Sequence, residues 1–358
     1  MRIIVDIGHP AHVHLFRHFA EGMSLRGHHV LFTVRDKENE VLLIKTYGLR
    51  YISVGKHYRS TAGKALGLIL SVTRMLFVAR DFKPDLYLSH GSIIAALTSW
   101  LTRKSHISME DTGNPEQVRL YLPFTEAVLT STSFHRDYGR KQIRYNGFHE
   151  LAYLHPSRFS ADPEFRNKLG VGPAEKLVIL RFVSWNASHD KGMAGLTDGE
   201  KASLVFALSG KARVYISSEK PLSPALEGFR YSLPPETIHQ ALAAADLFIG
   251  EGATMASECA VLGTPAIYIN PQSAGTIDEQ SNYGLVFQYK DFRSAEGKVK
   301  EILEMQNAGD FFNAARASLL NDKIDLTGFL IWFIAEWPGS LKTIKENPGY
   351  QDRFKSTI

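Results

Sequence analysis

The 358-residue chain holds a single cysteine, Cys259. One thiol excludes an intrachain disulfide and points to a reducing compartment. Charge of one sign is scarce too: 41 Lys and Arg against 37 Asp and Glu leave a net charge of +4. That balance suits an anionic ligand or an acidic membrane surface without demanding either, and no nucleic-acid partner is expected. No apolar run approaches the roughly 20 residues that span a bilayer. The opening residues, MRIIVDIG, lack the successive charged, apolar and small-residue regions of a signal peptide, so the expectation is a cytoplasmic protein. Internal repeats and low-complexity segments are missing as well.

What is present is alternation. Arg2–Ile7, His29–Val34, Tyr51–Val54, Asp85–Ser89, Ser105–Met109 and Ala127–Thr130 read as strands, with helix-period segments between them. This pattern predicts an α/β fold with a doubly wound parallel sheet and right-handed crossovers. The rhythm breaks over 153–176, which carries Pro156, Pro163 and Pro173, and restarts at Leu177–Phe182. The expected division is a Rossmann-like domain over 1–152, a linker over 153–176, a second Rossmann-like domain over 177–325 and a helical tail over 326–358. The tail holds Phe329, Ile331, Trp332, Phe333 and Trp337 and cannot stay exposed, so it is expected to pack across both domains. Two such sheets would face a cleft, with ligands beyond the carboxyl ends of the strands.

The chemistry-bearing residues fall just after strands. Gly250-Glu251-Gly252 follows the run Asp246–Gly250, and a helix starts near Thr254. Free N–H groups and the helix dipole make such a start a phosphate site. Glu258, one turn in, can accept two hydrogen bonds from a vicinal diol such as a ribose. Glu279 and Gln280 open a later helix and can hold sugar hydroxyls. Ser184 and Asn186 follow the first strand of the second half and can donate to phosphate oxygens, although no glycine-rich phosphate loop is present there. In the first half, Gly8–His14 carries His9, His12 and His14. A histidine at the helix start near His12 is held mainly neutral and can accept a proton. Ser89–Ser92 contains His90, and Glu110–Pro115 offers Glu110 and Asp111 as acid, base or sugar ligands. His9, His12 and His14 could in principle hold a metal, but no matching Asp/His set follows later strands, so none is expected.

Together these residues resemble a GT-B glycosyltransferase. The resemblance rests on IIVDIGHPAHVHLFRHF, on Glu110–Asn114 and on Gly250–Asn282. The chain is similar to the peptidoglycan N-acetylglucosaminyltransferase and the non-hydrolysing UDP-N-acetylglucosamine 2-epimerase. It is closer still to an uncharacterised bacterial and archaeal family with a GT-B-like fold. The resemblance implies a GT-B fold and a nucleotide-sugar donor, expected to be UDP-linked, with no cofactor beyond that co-substrate. It implies donor diphosphate at Gly252, Ala253 and Thr254, ribose at Glu258, donor sugar at Glu279 and Gln280, and His12 as the base near the reacting carbon. Glu110 and Asp111 are reserve catalytic groups, while His9 and His90 line the acceptor side.

The expected activity is metal-independent transfer of a sugar to a glycan or lipid-linked acceptor in cell-surface polysaccharide synthesis. Thr61–Arg80, with Lys64, Arg74 and Arg80 around Leu66, Ile69, Leu70 and Phe77, could rest on the inner face of an anionic membrane, or could be a plain sheet-covering helix. Two alternatives stand beside the transferase: a UDP-sugar 2-epimerase of the same fold, and a non-catalytic nucleotide-sugar-binding protein.

Overall fold

The computed structural model describes residues 1–36, 38–56, 60–184 and 195–355. The described residues divide into two units, Met1–Tyr153 with Lys323–Lys355, and Leu154–Asp322.

In the first unit seven strands form a parallel sheet: β1 (Arg2–Ile7), β2 (His29–Asp36), β3 (Tyr51–Lys56), β4 (Leu86–His90), β5 (Ser105–Met109), β6 (Ala127–Ser131) and β7 (Gln142–Tyr145). Their spatial order is β3-β2-β1-β4-β5-β6-β7. β1 is buried from Ile3 to Ile7, as expected of a strand covered on both faces. On one face, Met75, Ala79 and Phe82 of helix Thr61–Phe82 and Ile94 and Ala95 of helix Ile93–Thr102 meet Ile4, Leu31, Val54 and Tyr87. Thr61–Phe82 is therefore sheet-covering, yet its outer side leaves Leu66, Ile69, Leu70 and Phe77 exposed. No helix among the described residues is long and apolar enough to cross a membrane.

The apolar tail is part of this unit. Helix Leu326–Ala335 buries Phe329, Leu330, Phe333 and Ile334 and lies against helix Pro10–Leu25, where Gly22 faces Ile331. It also fastens the turn after β7. Lys323 Nζ donates to Asn146 Oδ1 (2.8 Å), the Asn146 N–H to Gln351 Oε1 (2.6 Å), and Thr327 Oγ1 to Ala152 O (2.7 Å). β7 itself has no counterpart in the sequence reading; its signal is the alternation Ile143, Tyr145 inward against Gln142, Arg144 outward.

The second unit has five parallel strands: β8 (Lys176–Phe182), β9 (Ala212–Ser218), β10 (Leu247–Gly250), β11 (Ala266–Ile269) and β12 (Val286–Tyr289), in the order β12-β11-β10-β8-β9. The stretch expected as a linker packs within this unit. Phe165, Leu169 and Val171 are buried, and Arg166 Nη1 donates to Ala244 O (2.7 Å) and Asp246 Oδ2 (3.1 Å). The strand order reverses between β1 and β4 in the first sheet and between β10 and β8 in the second. Those reversals open a crevice at the carboxyl ends of the strands, where open α/β sheets hold ligands.

Candidate functional site

In the first unit, the turns after β1, β4, β5 and β7 bring together three imidazoles and a carboxylate. Pro10 starts helix Pro10–Leu25, and the exposed His9 caps it by accepting the Ala11 N–H at Nδ1 (3.2 Å). One turn further on, His12 stacks on His90 with ring centroids 4.5 Å apart. The turn carrying His90 is tightly fixed. Gly91 adopts φ +62°, its N–H donates to Ser108 Oγ (2.8 Å) and its carbonyl accepts from Gln117 Nε2 (2.6 Å). Ser92 caps helix Ile93–Thr102 and donates to the buried Asp6 Oδ2 (2.6 Å), whose Oδ1 accepts from Thr33 (2.7 Å). His90 Nε2 donates to Asp111 Oδ1 and His149 Nδ1 donates to Asp111 Oδ2, both at 3.0 Å. The His90 and His149 side chains are 9% and 10% exposed, against 45% for Asp111.

The electrostatics follow from this packing. Burial, then the neighbouring His90 and His9 rings, hold His12 well below the usual histidine range, so it is neutral at neutral pH. Burial also opposes charge on His90, but Asp111 and then Glu110 outweigh it and lift its pKa to about 9. For Asp111, burial pushes upward and the two histidines more than offset it, leaving the carboxyl well below its usual range. The Gly8 N–H donates to His12 Nδ1 at 3.3 Å, which puts the ring proton on Nε2. In this tautomer His12 presents a donor at Nε2, where the sequence predicts a base.

Glu110 does not fit its expected catalytic reserve role. It is buried, Oε1 accepts from Thr112 N (2.9 Å), Thr112 Oγ1 (2.8 Å) and Gly113 N (2.9 Å), and Oε2 accepts from Tyr121 OH (2.6 Å). Both oxygens are engaged in tying the loop after β5 to helix Pro115–Tyr121. His14 is buried beside Tyr47 and Tyr153 and packs in the core. His149 is the residue that sequence reasoning missed. Its only local signal is the alternating strand before it and the Asn146-Gly147 turn.

In the second unit the turn after β10 leads into helix Ala253–Leu262. Gly252 is its N-cap and contributes no side-chain cap bond, and Thr254 is exposed. Gly252, Ala253 and Thr254 thus sit at the sheet's switch point with helix-start N–H groups. Glu251 between the two glycines is buried; Oε2 accepts the Val183 N–H (3.0 Å) and Oε1 the Leu196 N–H (2.8 Å). The Ser184 N–H donates to Glu219 Oε2 (3.0 Å), and Arg181 pairs with Glu219 Oε1 (2.7 Å). Asn186, with Trp185 and His189, lies outside the described residues.

Two expected donor contacts face inward. Glu258 is 5% exposed, with Oε1 on His239 Nε2 at 3.0 Å, and Gln280 is 0% exposed, with Nε2 donating to Ser257 Oγ at 2.7 Å. Helix Ala253–Leu262 is buried from Ala256 onward, so the residue four places after exposed Thr254 is already inside the unit. Glu279 lies half-buried on the neighbouring helix Gly275–Asn282.

A family described as a protein of unknown function, DUF354, matches residues 1–308. The chain belongs to the DUF354 family. This DUF354 chain is 23% identical over 286 residues to the uncharacterized protein MJ0665 of Methanocaldococcus jannaschii, covering 77% of this chain and 83% of that protein. Among solved structures it is similar to the UDP-GlcNAc 2-epimerase from Neisseria meningitidis bound to UDP-GlcNAc, with TM-score 0.61 and 12% identity over 89% of this chain and 98% of that one. It is also similar to the glycosyltransferase VinC in complex with dTDP, with TM-score 0.61 and 13% identity over 97% and 100% of the two chains. At these identities the likeness is one of fold. The two Rossmann-like parallel-sheet units of this DUF354 protein have the GT-B fold of those structures.

Proposed function

We propose that this protein is a GT-B glycosyltransferase that takes a sugar from a nucleoside diphosphate donor, in the first instance a UDP-sugar. The observation that carries the reading is the helix Ala253–Leu262. It starts with a glycine N-cap, without a side-chain cap, at the switch point of the second sheet. N–H groups at a helix start stabilise a diphosphate in the ground state and as it departs. Solved structures of similar fold that hold UDP-GlcNAc and dTDP support a nucleotide-sugar ligand. In this reading Gly252, Ala253 and Thr254 hold the diphosphate. His12, neutral and half-buried, takes the acceptor's proton after exchanging its ring tautomer; the 3.3 Å Gly8 contact it gives up is a weak one. A lipid-linked acceptor is supported by Leu66, Ile69 and Phe77 standing exposed on a helix that also carries Lys64, Arg74 and Arg80.

A second reading, a UDP-sugar 2-epimerase, is favoured by the His12 tautomer: a ring that donates from Nε2 suits departure of a leaving group better than activation of an acceptor. Thermal shift with UDP, GDP and dTDP and their sugar conjugates tests the shared claim. A ligand at 100 times its Kd adds about 2.7 kcal/mol. Thr254→Glu, which places a negative charge on an exposed first-turn position, is expected to abolish the shift. Absence of a shift with every nucleotide, or an undiminished shift in Thr254→Glu, overturns the reading. Inversion at C2 of UDP-N-acetylglucosamine without acceptor selects the epimerase.

A further inference from the structure

We propose that His90, Asp111 and His149 form a binding site for one first-row divalent transition-metal ion in the first unit. His90 Nε2 and His149 Nδ1 each stand 3.0 Å from a different oxygen of Asp111, and the three ligand atoms lie within 4.8 Å of one another. An ion bound at about 2.0–2.2 Å by imidazole and carboxylate spaces such donors roughly 3–4 Å apart, so small side-chain shifts seat it. The residues come from the ends of β4 and β5 and the turn after β7, on the ligand side of the sheet. A purely structural role fits His149 poorly. The fold contains its own example of a structural histidine: His106 is buried with Nε2 on Ser89 Oγ (2.9 Å) and Nδ1 on Thr125 Oγ1 (2.8 Å), both nitrogens satisfied. His149 is nine-tenths buried, yet its Nε2 has no partner among the described residues.

Two imidazole nitrogens and one carboxylate oxygen favour zinc, iron(II), cobalt or manganese over magnesium, which prefers all-oxygen surroundings. Three protein ligands leave open positions for water or a substrate oxygen. His12 stacks on His90 and is not part of the group whose ligand atoms converge within 4.8 Å. The site differs from the metal-free expectation because only the strand order brings β4, β5 and the turn after β7 together.

The test uses the full-length protein, stripped with a chelator, desalted and titrated with Zn²⁺ by calorimetry, with excess Mg²⁺ as competitor. The expected result is one Zn²⁺ per chain, undisturbed by Mg²⁺. Asp111→Ala and His149→Ala should each weaken binding at least ~100-fold, since even outer partners of a metal site are worth about 10–100-fold. His29→Ala, at the opposite end of the sheet, should leave it unchanged. Replacing Zn²⁺ by Co²⁺ in the unaltered chain gives a readout independent of variant folding: one equivalent should develop ligand-field bands of mixed nitrogen and oxygen ligation. No stoichiometric Zn²⁺ in the unaltered protein, no ligand-field bands with Co²⁺, or full retention in the Asp111→Ala, His149→Ala double variant would each overturn the proposal. Nucleotide thermal shifts report on the second unit and separate this outcome from failure of the transferase reading.

Discussion

Replacing Glu110 by Gln is the sharpest way to separate a scaffold carboxylate from a catalytic one. The side chain is 2% exposed and accepts four hydrogen bonds, three at Oε1 and one from the Tyr121 hydroxyl at Oε2. An amide in its place keeps one acceptor oxygen and turns a donor toward Tyr121. Hydrogen bonds to a charged group are worth about 1.5–3 kcal/mol. Loss of the Tyr121 bond together with weakening of the other three gives an expected cost of roughly 2–3 kcal/mol. For a unit of this size that lowers Tm by roughly 5–10 °C. Differential scanning calorimetry of Glu110→Gln, Tyr121→Phe and the double variant measures it. The two changes share a bond, so the double-variant cycle should show a coupling above about 0.5 kcal/mol. A general base, by contrast, would cost roughly 10²-fold or more in rate without a stability change. Glu110→Gln melting with the unaltered protein while losing turnover would refute the scaffold assignment.

Other substitutions probe the same logic. A Cβ on Gly250 would stand 2.6 Å from Phe248 Cζ and 2.8 Å from the Arg181 Cβ, so Gly250→Ala should destabilise the second unit by about 1–3 kcal/mol in urea unfolding. In Gly22→Ala the new methyl meets only the movable tip of Ile331, and the change should stay within about 1 kcal/mol; equal effects at the two sites would contradict the packing. Burial lowers His106 to about 3, so the unfolded chain binds its proton first. Its contribution is intact above the unfolded value near 6.5 and is lost as pH falls toward 3, with a slope of up to about 1.4 kcal/mol per pH unit. Urea unfolding between pH 7.5 and 4.5 (roughly the upper half of that window) should show a shallower acid slope in His106→Gln; identical slopes would remove His106 from the account. His239→Ala takes a hydrogen-bond partner from buried Glu258 and should cost roughly 1.5–3 kcal/mol while leaving nucleotide shifts in place; a variant of normal stability that no longer binds nucleotide would restore Glu258 as a ribose ligand.

Much of the fold was legible because its strands are short apolar runs bounded by glycine and polar turns: Arg2–Ile7 and Ser105–Met109 coincide with β1 and β5. β7 escaped notice because Gln142–Tyr145 is short and half polar. The tail was recognisable as buried, but not that it anchors Asn146. The candidate site was half legible. Position after a strand identified His12, His90 and Asp111, whereas His149 joins them through strand order, which no local pattern encodes. Helical periodicity placed Glu258 and Thr254 on one side; it carries no information on depth, and the burial of the helix from Ala256 onward put Glu258 inside. Glu251 reads as a charge in sequence and as a backbone acceptor in the fold, because its partners, Val183 and Leu196, are about 55 or more residues away in the chain.

Three buried carboxylates near the carboxyl ends of the strands share one property. Asp6 accepts from Thr33 and Ser92, Glu110 from Thr112, Gly113 and Tyr121, and Glu251 from Val183 and Leu196. Each uses both oxygens to hold a turn in register, and removing a proton from a substrate would first require disturbing that turn. Buried carboxylates whose two oxygens already bond the surrounding turns act as scaffold rather than reagent. Asp111 differs: it is 45% exposed and its two bonds go to imidazoles that can exchange a proton for an ion. On the proposed function, the chemistry of the first unit would therefore rest on the imidazoles and on the one carboxylate they share, and metal binding at Asp111 and His149 would decide between proton transfer alone and a bound metal.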